Sequence, residues 1–282
     1  MIQREELVRQ CIRTHYNPPD MGYVGSLSNA DGPCIQVLTT RDILGLPMDE
    51  SRHLRNELAS LFQSGFPRMP SAMIITRAGE FFRAPGGSFN RHAILVRDPA
   101  GTLVASKLFD HGDVHHRGQR LSALYSLSAC VRPEYQGSGL GTGMTVSQFK
   151  AWRPGVLMVT CSQSVSLWTW ISLPIKGLIE NYEMYPRLER QDGRDALVAI
   201  PPADLDLAVS VFRQTFLGVV DGDTGRVETA LNNLTVRMTR KNLYCELYEH
   251  PPWERNGVRD KLAEALDVTS KDGICLFFRR IG

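Results

Sequence analysis

Residues 131–144 hold the densest chemistry in the chain: Val131-Arg132-Pro133-Glu134-Tyr135-Gln136-Gly137-Ser138-Gly139-Leu140-Gly141-Thr142-Gly143-Met144. A strand-like apolar run leads in, and a helical pattern from Met144 to Trp152 leads out. Glycines at 137, 139 and 141 let the backbone turn tightly and leave no Cβ to obstruct a ligand. A helix starting near Gly141 brings unpaired N–H groups and the positive end of its dipole to the same turn. Together these suit a pyrophosphate, to which Gln136 can add a side-chain donor. Neither of two familiar nucleotide loops fits: residue 142 is Thr, so GxGxxG fails, and no GK[ST] follows for a P-loop.

Several elements must position this turn. Residues 1–32 read as a short helix carrying Leu7, Val8, Cys11 and Ile12, then a turn-rich stretch. Residues 34–39 form a candidate strand. Leu54, Leu58, Leu61 and Phe62 then fall on one face of an amphipathic helix, with Asp49 or Ser51 as its N-cap and Gly65-Phe66-Pro67 at its end. Residues 72–76 and 92–97 are short β-like runs. The second reaches Asp98-Pro99-Ala100-Gly101 and then a run over 102–109, which predicts a hairpin. Residues 110–120 read as a polar loop, 121–131 as a long strand, 156–161 as a buried strand and 165–171 as a helix ended by Pro174. Beyond residue 200, Pro201-Pro202 opens a helix with Leu205, Ala208, Phe212 and Phe216 on one face. Turns at 221–225, a helix with Val258, Leu262 and Leu266, and a closing strand over 274–278 follow. The predicted organisation is an N-terminal helical and turn extension (1–32), a core (33–200) and an accessory α+β region (201–282).

Val131-x-Pro133-x-Tyr135-Gln136-Gly137-x-Gly139-Leu140-Gly141 resembles the pyrophosphate motif of the GNAT superfamily of acyl-CoA N-acyltransferases. Gln136, Gly139 and Gly141 occupy the defining positions of [Q/R]-x-x-G-x-[G/A], and the order of surrounding elements, roughly 34–190, is the one that family requires. The resemblance implies an α/β (α+β) fold: a GNAT-type mixed, mostly antiparallel central sheet with helices on both faces, here with a C-terminal α+β extension. It implies that backbone groups of Ala129, Cys130 and Val131 pair with the pantetheine amides of CoA. Amides of Gln136, Gly137, Ser138, Gly139, Leu140, Gly141 and Thr142 would hold the pyrophosphate. Strand 156–161 would splay from the strand ending at Val131 and open a slot for the thioester, leaving backbone groups for ligand or water to satisfy.

Acyl transfer to an amine needs a base for the ammonium proton, donors for the carbonyl oxygen and an acid for the departing thiolate. Family members commonly carry a Glu in the strand before the turn, but residues 121–130 hold no carboxylate; Tyr125 stands near that position and could hold a relaying water. Where the family often has an Asn and, seven residues on, a proton-donating Tyr, this chain has Gln163 and Trp170, and an indole cannot serve. Tyr182 and Tyr185 are the nearest phenols downstream, with Tyr182 the candidate acid. Asp110-His111-Gly112-Asp113-Val114-His115-His116 groups two carboxylates and three imidazoles. It could offer a base from His115 or His116, the latter being the candidate kept, while a solvated loop is the simpler reading and no metal is expected. Cys130 and Cys161 lie on the two strands expected to splay, so an acyl-cysteine route is conceivable; direct transfer in a ternary complex is the family's usual mechanism.

The expected function is therefore transfer of an acetyl or other acyl group from a CoA thioester, the co-substrate, to a primary amine. Transfer of a longer chain or to a hydroxyl stays open, with Trp168 and Trp170 in the apolar run 165–175 as the feature that could line a tunnel. So does a catalytically silent CoA-binding sensor or scaffold. With 282 residues and 43% hydrophobic composition the chain can build a sizeable core, and it is not disordered. The formal charge of +2 gives no field for nucleic acid or an anionic membrane as partner, although 26 of the 32 basic residues are Arg. No signal-type segment opens the sequence, and the six cysteines form no CxxC pair, as expected of a cytoplasmic protein with reduced core thiols. Residues 201–282 could equally cap the site or form a homodimer. The acceptor carries no readable code.

Overall fold

The computed structural model describes residues 4–17, 33–67, 69–85, 88–161, 164–191, 194–198, 200–216, 235–237 and 272–282. Two compact units divide the chain, Met1–Pro85 with Asn90–His111 and Leu127–Arg153, and Gly86–Phe89 with Gly112–Ser126 and Pro154–Gly282.

The first unit holds α1 (Arg4–His15), β1 (Cys34–Thr39), α2 (Thr40–Leu44), α3 (Met48–Gly65), α4 (Ser71–Glu80), β2 (Asn90–Arg97) and α5 (Leu140–Trp152). It also holds the first part of β3 (Leu103–His116) and the last part of β4 (Gln119–Val131). β1 runs antiparallel to β2 from Cys34↔Arg97 to Thr39↔His92, and β2 antiparallel to β3 from Asn90↔His111, with a bulge between Val96 and Arg97. The hairpin expected at 98–101 is present: the Gly101 N–H donates to the Asp98 carbonyl at 2.9 Å, and Gly101 takes φ 84°.

Helices cover both faces of this part of the sheet. Alternation of side chains along the strands sends His92 and Phe109 to the α5 side, where their rings meet Trp152. It sends Arg91 and Cys130 to the α3 and α4 side, where Arg91 bonds the Glu80 carbonyl and the Cys130 thiol donates to the Leu61 carbonyl. The predicted α3 face is the buried one, Leu54, Leu58, Leu61 and Phe62. Burying each is worth about 1.5–3 kcal/mol. Its start differs from the expectation: Pro47, not Asp49 or Ser51, precedes the first turn, and no side chain caps it. α2 has the full box instead, the Asp42 N–H donating to Thr39 Oγ1 while the Thr39 N–H donates to Asp42.

Two sequence expectations are corrected here. Residues 72–76 are not a strand but part of α4, whose buried pair Ile74 and Ala78 has helical spacing. A short run with four apolar residues does not distinguish the two, and Pro70 before it favours a helix start. Residues 110–120 are not a loop: β3 continues to His116, turns at Arg117 (φ 47°) and Gly118 (φ 76°) and returns as β4. Asp110 is polar but buried, held by Arg91 through two hydrogen bonds of 2.8 and 2.9 Å. Leaving either partner alone in the interior would cost about 3–5 kcal/mol, which keeps the pair together.

The second unit holds the hairpin tip, β5 (Val156–Cys161), α6 (Ser164–Ile175), β6 (Tyr182–Tyr185), the hairpin β7 (Arg187–Gln191) and β8 (Arg194–Val198), α7 (Pro202–Phe216), β9 (Thr235–Arg237) and β10 (Asp272–Arg280). β4 and β5 pair in parallel from Ala123↔Val156 to Ser126↔Val159. The described ladder stops there, five residues before β4 ends at Val131. β10 pairs antiparallel with β5 on one edge and β6 on the other, and its Cys275, Leu276, Phe277 and Phe278 are buried. α6 runs one residue past Pro174 rather than ending before it, and Trp170 packs on Phe278 at 5.6 Å between ring centres. That is core packing at Trp170, the alternative to a tunnel lining. Of the expected face of α7, Ala208 is buried and Leu205 half-buried, with Leu207 and Val211 buried beside them; the side chains of Phe212 and Phe216 lie outside the described residues. The turns at 221–225 and the helix carrying Val258, Leu262 and Leu266 lie outside the described residues.

Candidate functional site

The turn between β4 and α5 lies in the first unit and is built from its own backbone. Pro133 opens a single 3-10 turn, Pro133–Tyr135, in which the Tyr135 N–H donates to Arg132 and the Gln136 N–H to Pro133. Gly137 (φ 81°) and Gly139 (φ 87°) then reverse the chain in the left-handed region. Gly139 is the N-cap of α5 and offers no side chain, so the first helical bond is Gly143 N–H to Gly139 at 2.8 Å. Among the described residues nothing accepts from the N–H groups of Leu140, Gly141 and Thr142. Three donors and the positive end of a thirteen-residue helix thus meet at one turn.

The glycines divide by what lies beside them. A Cβ on Gly137 would meet nothing within 4 Å, and one on Gly141 only Val131 Cγ2 at 4.0 Å. A Cβ on Gly139 would collide with the His15 carbonyl, and one on Gly143 would stand 2.8 Å from Ile12 Cα. The Asn17 N–H also donates to the Ser138 carbonyl at 2.7 Å. The C-terminal half of α1 therefore lies on the back of the turn, a contact that no spacing in the sequence announces.

Side chains of the turn are used internally. Ser138 is buried and its hydroxyl donates to the Tyr135 carbonyl at 2.6 Å, while its main-chain N–H donates to the same carbonyl at 3.3 Å and its carbonyl accepts from Asn17. Gln136 ties the turn to the end of β4, its Nε2 donating to the Val131 carbonyl at 3.1 Å. Tyr135 donates to Asp98 at 3.3 Å, and burial, with the Asp98 carboxylate second, pushes its hydroxyl up to about 12. On β4, Ala129 is exposed in mid-strand. Cys130 is buried against α3, and that burial raises its thiol far above the ordinary cysteine value, which opposes a thiolate nucleophile there.

The candidate acid–base residues all lie in the second unit. Tyr125 is buried in β4 opposite Met158 in the parallel ladder. Tyr182 donates its hydroxyl hydrogen to the Pro154 carbonyl at 2.9 Å, a strut between β6 and the start of β5. His116 ends β3 with Nε2 3.6 Å from Asp206 on α7, which also binds Arg117. His115 is held to α7 by its main chain, its N–H donating to Gln214 Oε1 and its carbonyl accepting from Gln214 Nε2. The side chains of Cys161, Gln163 and Trp168 lie outside what is described. Among the described residues no group of three or more His, Cys, Asp or Glu could hold a metal ion. Nor is any described helix long and apolar enough to cross a membrane.

No family model matches the chain, and no curated protein matches it. Among solved structures, the chain is similar to a Corynebacterium glutamicum protein described as histone acetyltransferase HPA2 and related acetyltransferase. That pair is 11% identical, covers 60% of this chain and 98% of the other, and has a TM-score of 0.35. It is also similar to the GNAT family N-acetyltransferase YhbS of Escherichia coli in complex with CoA (12% identical, 51% and 71% covered, TM-score 0.34). A third is spermidine N-acetyltransferase of Vibrio cholerae in complex with CoA and spermine (12% identical, 60% and 94% covered, TM-score 0.31). Likeness of this size says nothing about substrate. The parallel β4–β5 ladder that stops short of Val131, the glycine turn after β4, and the helix and strand that follow it are the arrangement that the sequence's resemblance to the GNAT superfamily implies.

Proposed function

We propose that the chain is an acyl-CoA-dependent N-acyltransferase whose turn at 136–142 holds the diphosphate of CoA. The observation that carries this reading is the row of first-turn amides at Leu140, Gly141 and Thr142 from which no described residue accepts, beside Gly137 and Gly141 whose Cβ positions are open among the described residues. The residues fit the group: main-chain N–H donors suit phosphate oxygens, and a bare Gly141 admits them at close range. Ala129, Cys130 and Val131 would supply main-chain partners for the pantetheine arm. The thioester, when bound, supplies the activated acyl group. The chain's own residues orient it, and Tyr125 is the candidate to hold a water that takes the amine proton. His116 shares Asp206 with Arg117 and is the weaker candidate base. Tyr182 has its hydroxyl hydrogen committed to Pro154, which weighs against it as the acid for the thiolate. A primary amine is the acceptor class.

Calorimetry tests the reading. The wild-type chain is expected to bind CoA, and Gly141→Glu, folded, to lose that binding by steric block and charge repulsion. Unchanged affinity in the folded variant would sink the placement. A second reading, a CoA-binding module without turnover, is favoured by residues 121–131, which hold no carboxylate, and by the buried Trp170 where a phenol would serve. Release of free CoA thiol from acetyl-CoA with a panel of primary amines separates the two. Tyr125→Phe should then lower kcat more than it weakens CoA binding.

A further inference from the structure

Gln148, in the second half of α5, is wholly buried, and neither its Oε1 nor its Nε2 has a hydrogen-bond partner among the described residues. One turn further on, Nε1 of the buried Trp152 has none either. Buried amide and indole groups are nearly always paired, so two unpaired ones on the same helix need a physical cause. Residues 141, 145, 148 and 152 fall on one face of α5. That face is turned to the sheet: Lys107 on β3 donates to Thr145 Oγ1 at 2.6 Å, and the centre of the Trp152 ring stands 4.7 Å from that of Phe109 and 5.4 Å from that of His92. Gln148 lies between these two contacts along the helix, and all of these residues belong to the first unit.

The three unpartnered atoms define what would satisfy them. Gln148 Nε2 and Trp152 Nε1 carry hydrogens to donate, and Gln148 Oε1 can only accept. The complementary group must therefore accept two hydrogen bonds and donate one. A water molecule does this. A carboxylate or phosphate oxygen has no hydrogen to give, an ammonium cannot accept, and a metal ion is repelled by the two N–H groups. Internal waters are typically held by about three hydrogen bonds, the number offered here. Residues four apart on a helix can bond directly, yet Gln148 and Trp152 do not. Two polar heads that share a buried face without touching are the arrangement a bridging water completes.

We propose that the sheet-facing side of α5 carries a built site for one internal water, held by the Gln148 amide and the Trp152 indole N–H. The site is independent of whatever binds at the glycine turn. In a crystal structure of the whole chain, one ordered water is expected within about 3.2 Å of Trp152 Nε1 and of both amide atoms of Gln148. In solution, the Trp152 indole N–H, identified by the resonance that Trp152→Phe removes, should show a cross-relaxation peak to a long-lived water. Gln148→Met keeps the length of the side chain and removes both polar atoms, and it should abolish that peak. A Trp152 Nε1 bonded directly to Gln148 Oε1, with no water density between them, overturns the site. So does a wild-type indole N–H that shows no water peak, or a folded Gln148→Met variant in which the peak is undiminished. The two wild-type measurements decide the matter if the variant does not fold.

Discussion

Two interleaved pairs of glycines over residues 137–143, the members of each pair four residues apart, answer to different forces. Gly137 and Gly141 face no described atom closer than 4.0 Å; Gly137 is still required by its φ of 81°, so only at Gly141 does the absence of a side chain matter solely to something that arrives from outside. Gly139 and Gly143 face the backbone of α1, at the His15 carbonyl and at Ile12 Cα, so there the absence of a side chain matters to the fold. A motif that reads as one phosphate-binding feature is half open surface and half helix-packing surface. Its conformation is held from behind by a helix outside the region that resembles the family.

Substitutions can break this contrast. The largest expected effect is that of Gly139→Ala, which combines a positive φ with a collision against a main-chain oxygen that cannot rotate away. It should cost roughly 3 kcal/mol or more, seen as a much lower denaturation midpoint. Gly143→Ala should follow it in direction. If both variants melt like the wild type, α1 does not brace the turn.

The far end of α5 offers a pH test of nearly the same size. Burial against Phe109 and Trp152 and, second, the charge of His111 lower His92 from 6.5 to about 4. Its neutral form is the one the fold accepts, so the unfolded chain takes up the proton first. The resulting stability is complete above pH 6.5 and is lost as pH falls through about 4. The loss amounts to about 3 kcal/mol. Urea midpoints between pH 7 and 4.5 should fall steeply in the wild type and less in His92→Phe; parallel curves would remove His92 from the account.

Tyr135→Phe removes the 3.3 Å bond to Asp98 that anchors the start of the turn. It should cost about 1 kcal/mol in urea denaturation. A larger loss would mean that the Asp98 turn, and not α1 alone, holds the glycines in place. Gly141→Ala sits at the bottom of the stability scale. An exchange in the first turn of a helix with no close neighbour should change stability by less than about 1 kcal/mol, while CoA affinity falls. Equal loss of stability at 139 and 141 would erase the distinction between the two pairs.

The parts of this fold legible in the sequence are those whose cause is local. Leu54, Leu58, Leu61 and Phe62 announce α3 because helical period alone decides which face is buried. Asp98-Pro99-Ala100-Gly101 announces its hairpin because φ preferences act within four residues. α4 was not legible, since so short a run as Ala72-Met73-Ile74-Ile75-Thr76 fits either period. Nor was the hairpin at 117–118, whose flanking strand hides a buried Asp110 that only Arg91, nineteen residues away, makes tolerable. The candidate site divides in the same way: the turn and its free amides follow from glycine spacing, while α1 behind it and Lys107 beneath it come from distant segments.

The amino-acid order by itself determined the strand–turn–helix unit at 131–152, because glycine torsional freedom and unpaired first-turn amides are properties of neighbouring residues. Only the tertiary structure decided which glycine faces open space and which faces a helix, where β10 pairs, and that a lysine lies under α5. Those outcomes depend on which distant surfaces meet, and steric exclusion and charge burial act through space rather than along the chain.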